Sequence, residues 1–123
     1  MPYVYEFSLN NYARERNIRA DYIGRQMIGC LDEEIKKYQE TRSLLPQAGV
    51  KFKIDASGVE DIHSPVASEL VRTLANYRTL PITINNPSKR VSFELRDTAS
   101  NLRKETHGFN IRREKEGLEL VLK

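Results

Sequence analysis

Ser64 stands between His63 and Pro65 in the run VKFKIDASGVEDIHSPVASELVRTLANY, residues 50–77. A hydroxyl at the start of a helix can accept a hydrogen bond from a backbone N–H and cap the helix. It can also receive a phosphate, where free N–H groups and the helix dipole favour an anion. Both uses are open for Ser64. His63, Asp55 and Asp61 lie near it in sequence, but they do not make a hydrolase triad. Adjacent residues such as His63 and Ser64 rarely point productively at each other, and no nucleophile-elbow pattern accompanies them. His63 and His107 with those aspartates match no metal-ligand spacing. The six glycines are scattered singly, so no phosphate-binding loop of the P-loop or dinucleotide type is present. No catalytic residue, metal or cofactor is expected, and the chain reads as non-enzymatic.

The elements that must position Ser64 follow from periodicity. Val50, Phe52 and Ile54 alternate as in a strand, which runs into Asp55 and a turn at Ser57-Gly58. Asp55 is placed to close that turn, and Gly58 to supply backbone freedom. Ser64 and Pro65 read as N-cap and first residue of a helix, whose buried stripe is Val66, Ala67, Leu70, Val71 and Leu74. Upstream, residues 3–9 alternate as a strand that Asn10-Asn11 breaks. A helical stripe then runs from about Ile18 to Thr41 through Ile23, Met27, Cys30, Leu31, Ile35 and Tyr38, ending before Pro46 and Gly49. Gly24 and Gly29 inside it imply close packing against a sheet, or close approach of something else. Downstream, LPITI (80–84) is a short strand, and Asn86-Pro87 repeats the cap-and-proline device. VSFEL (91–95) fits a strand by alternation, but Val91, Leu95, Ala99 and Leu102 favour a helix. Phe109–Arg113 and Leu118–Leu122 flank a turn and predict a C-terminal β-hairpin. Strand and helix alternate, which predicts one α/β domain over residues 1–123 with some parallel pairing.

Of the 123 residues, 39% are hydrophobic and 30% charged, compatible with one folded domain and a modest core. The net charge is +3, and its excess lies wholly in residues 51–123, with thirteen basic against ten acidic side chains. No basic block accompanies it. Arg14, Arg16, Arg19 and Arg25, the pairs Lys89-Arg90 and Arg112-Arg113, and Tyr3, Tyr5, Tyr12 and Tyr22 could touch a nucleic-acid backbone or its bases, but no binding signature joins them. Nucleic acid is not the expected partner. Cys30 is the only cysteine, so no internal disulfide or cysteine zinc site forms, and a free thiol fits a reducing compartment. The first residues lack the basic start and apolar run of a signal peptide. No window approaches the ~20 apolar residues that cross a bilayer. A cytoplasmic protein is expected.

The segment IDASGVEDIHSPVASELV resembles the core of STAS domains, the fold of anti-sigma-factor antagonists. It is closest to a bacterial STAS-like family of largely uncharacterised function. There an arginine, three residues, a hydrophobic residue, glycine and arginine precede the strand, here Arg19, Ile23, Gly24 and Arg25. The strand and turn follow as FKIDASGVEDI, then a helix start with Ser64, Ala67, Glu69 and Leu70. The resemblance covers about residues 4–102. Ser64 takes the place of the regulated hydroxyl. His63 replaces an acid, and Pro65-Val66 replace small residues.

The resemblance implies a mixed sheet with helices mainly on one face, and regulation through protein–protein contact without catalysis. The implied partner is a histidine-kinase-like ATPase, which would itself bind the ATP. The contact surface would take in Arg25, Ser57, Gly58, Asp61, His63, Ser64, Pro65, Glu69, Asn86 and Lys89, with Ser64 as phosphorylation candidate. The rival readings are a basic nucleic-acid-associated module, a small enzyme and a homo-oligomeric scaffold joined through its sheet edges.

Overall fold

The computed structural model describes residues 4–19, 21–44, 51–77, 80–114 and 117–122. Seven strands and four helices follow in the order β1 (Val4–Ser8), α1 (Leu9–Glu15), β2 (Tyr22–Ile23), α2 (Arg25–Leu44), β3 (Lys51–Asp55), β4 (Asp61–Ile62), α3 (Ser64–Ala75), β5 (Ile82–Asn85), α4 (Lys89–Asn101), β6 (Phe109–Glu114) and β7 (Gly117–Leu122). The protein is α/β. Its main sheet is mixed, with strand order β1-β3-β5-β7-β6. The first three strands are mutually parallel. β7 runs antiparallel to β5 and to β6. The residues joining β6 to β7, 115–116, lie outside the described set, as do Tyr3, Ala20 and the 45–50 segment with Pro46, Gly49 and Val50.

The sheet is buried on one face because its strands alternate. Along β3, Phe52 and Ile54 are buried while Lys51 is exposed and Lys53 half-buried. Along β5, Ile82 and Ile84 are buried and Thr83 is not. With a side-chain period of two, this places all four apolar residues on one face. They share a core with Met27, Leu31, Ile35 and Tyr38 of α2, with Leu70, Val71 and Leu74 of α3, and with Val91 and Leu95 of α4. Tyr38 packs against Phe52 with the rings tilted by 57° and 5.2 Å between centroids. In α3 the buried residues are Val66, Ala67, Leu70, Val71, Leu74 and Ala75, the stripe its sequence predicts.

Residues 91–95 are helical. In a strand Val91, Phe93 and Leu95 would share a face. Instead Val91 and Leu95 are 0% and 1% exposed, whereas Phe93 is 63% exposed, the pattern of residues on opposite sides of a helix.

Three expectations need correction. The helical stripe does not begin at Ile18. Residues 9–15 form a separate helix, capped by the Ser8 side chain, which accepts from Asn11 N at 3.2 Å. Asn10-Asn11 therefore end the first strand by sitting inside a helix. Then β2 intervenes and α2 starts at Arg25. Second, Gly24 and Gly29 do not mark close packing: a Cβ at either would meet nothing within 4 Å. Third, Ser88 caps α4, not Asn86; its hydroxyl accepts from Val91 N at 3.0 Å and donates to Glu60 O at 2.9 Å. Gly117 does lie under a close approach, since a Cβ there would collide with the Ile84 carbonyl of the neighbouring strand.

Candidate interaction surface at the helix starts

The surface begins at the end of β3. The Asp55 Oδ1 accepts from the Ser57 N–H at 3.0 Å, from the Ser57 hydroxyl at 2.6 Å and from Asn86 Nδ2 at 3.4 Å. The bonds from Ser57 and Asn86 favour the ionised carboxylate and hold Asp55 below the usual range, against the opposing effect of partial burial. The turn closes as expected, with Val59 N bonded to Ala56 O at 3.1 Å. Gly58 has φ +80°, which favours glycine; a Cβ there would also meet the tip of the Asn10 side chain, which would have to move aside. Asn86 also sits in the left-handed region, at φ 56°, where asparagine is tolerated.

After the turn comes β4, which pairs in parallel with β2: Tyr22 opposite Asp61 and Ile23 opposite Ile62. Each short strand feeds a helix one residue later, β2 into α2 and β4 into α3. Their parallel register therefore delivers the two helix starts on the same side. Arg25 Nε pairs with Glu69 Oε1 at 3.0 Å, tying α2 to α3. Arg90 Nε pairs with Asp61 Oδ1 at 3.2 Å, and Ser88 bonds the Glu60 carbonyl, tying the start of α4 to β4. Three helix N-termini thus converge on one rim of the fold.

Ser64 is exposed, but it does not cap α3. The helix begins at Ser64 itself. His63 is the N-cap, in extended conformation, with no side-chain cap bond; its carbonyl accepts from Ala67 N at 2.8 Å. Pro65 is the second helical residue. The expected assignment is thus one residue out, and the Ser64 hydroxyl has no partner among the described residues. Pro65 suits that place because an N–H there has no intrahelical acceptor.

The structure brings Arg25, Asp61, His63, Ser64, Pro65 and Glu69 together through the β2–β4 pair, and Ser57, Asn86 and Lys89 through the Asp55 turn and the start of α4. Gly58 lies on the same turn. None of α2, α3 and α4 has an acidic residue in its first turn. Instead α2 starts with Arg25 and α4 with Lys89 and Arg90. Acids usually stand there to complement the positive helix end. Among the described residues, no group of three His, Cys, Asp or Glu side chains lies close enough to hold a metal ion.

Sequence reasoning misses the two-residue strands β2 and β4. Two residues are too short to show a period, so no signal in the chain announces the pairing that joins the starts of α2 and α3. It also misses Ser88 as the cap, although serine three residues before the first buried position, Val91, is a recognisable cap signal.

No family model, no curated protein and no solved structure matches this chain. No helix among the described residues is long and apolar enough to cross a membrane.

Proposed function

We propose that the protein is a non-catalytic regulatory module of STAS-like fold, C-terminal hairpin included, that acts through protein–protein contact at the rim formed by the starts of α2, α3 and α4. Phosphorylation of Ser64 switches that contact. The partner is a protein of the histidine-kinase-like ATPase class, which supplies the ATP and the phosphoryl group. The serine hydroxyl displaces ADP at the γ-phosphorus and loses its proton, leaving a phosphoserine.

One observation carries this reading. An exposed hydroxyl without a hydrogen-bond partner among the described residues stands at the first residue of α3, on a rim whose helix first turns hold no acids and, in α2 and α4, carry Arg25, Lys89 and Arg90. A phosphate there adds nearly two negative charges beside the free N–H groups of the first turn. The fold need not rearrange, because Ser64 is exposed. Only the sign of the contact surface changes, and like-charge or desolvation costs then expel the partner.

The test is a pull-down from the native host with immobilised wild type, Ser64→Ala and Ser64→Asp. A kinase-like ATPase retained by wild type and Ser64→Ala but lost with Ser64→Asp is the expected result. Equal recovery on all three would rule out a switch at this position.

A further inference from the structure

We infer that copies of the protein associate head to tail, the β6 edge of one copy adding to the β1 edge of the next. β1 and β6 are the two edges of the main sheet. β7 is antiparallel to both β5 and β6, so β6 runs parallel to β5, β3 and β1. A neighbouring copy in the same orientation therefore presents β6 to β1 as one more parallel strand, with its helices on the same side. The strands are of similar length, five residues and six. Exposed edges of this kind pair readily with another chain.

The register supplies the complementarity. Cα partners run Glu6, Lys53, Thr83, Glu119, Arg112 across the sheet, and Glu6 and Arg112, on its two edge strands, are both exposed. This row starts with an acid at one edge and ends with a base at the other, at the same height. On the helix-covered face the row Phe7, Ile54, Ile84, Leu118 ends at Arg113. Continuing the sheet into the next copy sets Arg112 beside Glu6 and Arg113 beside Phe7.

The surroundings of β1 fit that approach. An open groove of about 340 Å³ is lined by both Glu6 and Phe7. Consecutive strand residues face opposite ways, so the groove passes the free edge of β1. Glu15, Arg16 and Glu34 line it as well, and Glu34 also pairs with Lys37 at 3.5 Å. Arg16 lies over the Tyr12 ring at 5.5 Å, and Tyr12 packs on Phe7 at 5.8 Å between centroids. An arginine entering there meets the carboxylates of Glu6 and Glu15 and the rings of Phe7 and Tyr12, which suit a guanidinium. Arg112 and Arg113 are both exposed on β6. The contact joins different surfaces, so each added copy leaves an edge free and growth is open-ended.

Sedimentation velocity over a concentration series at low salt tests this. The weight-average mass of wild type should climb past that of a dimer and fall on adding salt. Glu6→Arg, at an exposed position, should keep the wild-type circular dichroism and melting curve, whereas Arg112→Glu, which also gives up an interaction within its own chain, should keep the circular dichroism; each should lower the association constant by about tenfold. Combining the two reversals in one chain should restore growth. A monomer at every concentration would overturn the inference. So would a closed dimer indifferent to both reversals, or a combined variant that stays as dissociated as the single ones.

Discussion

Arg25, the first residue of α2, and Glu69, in the second turn of α3, pair with Nε and Oε1 3.0 Å apart. Their side chains are 72% and 40% exposed, and solvent-exposed pairs contribute little because water and salt screen them. The pair aligns two helix starts and adds little stability. Arg25→Ala should therefore shift the urea unfolding free energy by at most about 1 kcal/mol. A larger loss would show that Arg25 holds the fold itself.

The two rim serines should behave differently. Ser88 caps α4 and also donates to Glu60 O, so Ser88→Ala should destabilise by about 1–2 kcal/mol. Ser64 makes no side-chain hydrogen bond among the described residues, and Ser64→Ala should stay within about 0.5 kcal/mol of wild type. Chemical denaturation of the two variants side by side measures the difference. Equal losses would restore a capping role to Ser64.

Tyr77 links α3 to α2 through its hydroxyl, which donates to Asp32 Oδ1 at 2.6 Å. Burial, and then the carboxylate acceptor, push its pKa up to about 12. The folded value lies above the unfolded one, so the protonated form is the stabilised one. Its contribution is complete below the ordinary tyrosine value near pH 10 and is lost as pH rises toward about 12. Tyr77→Phe should cost about 1 kcal/mol at neutral pH, since Asp32 keeps its ion pair with Lys36 at 3.3 Å. The variant's stability should then fall less steeply than wild type between those two pH values. Thermal melts across the alkaline range check both parts.

Much of the fold is legible in the chain because its signals are local. The alternation of Phe52 and Ile54, the α3 stripe, and the α4 stripe around Val91 and Leu95 each declare a period and a buried face. The Asp55 turn is legible for the same reason, since an aspartate bonding two residues ahead is short-range chemistry. The start of α2 is hidden because Ile23 fits a helical stripe as well as it fits a strand. Its partner is Ile62, far along the chain, and only tertiary pairing decides between the two. The ion pairs Arg25–Glu69 and Arg90–Asp61 are invisible for that reason too. The cap of α4 goes astray because Asn86-Pro87 carries a cap signature that the chain uses elsewhere: Asn86 adopts a left-handed turn and reaches back to Asp55.

The switch at Ser64 is tested most directly by site-resolved mass spectrometry of the full chain after incubation with native-host lysate and magnesium ATP. The expected result is a gain of one phosphate, mapped to Ser64 and missing from Ser64→Ala. An unmodified wild-type chain, or a phosphate mapped to any other residue with Ser64 untouched, would contradict it.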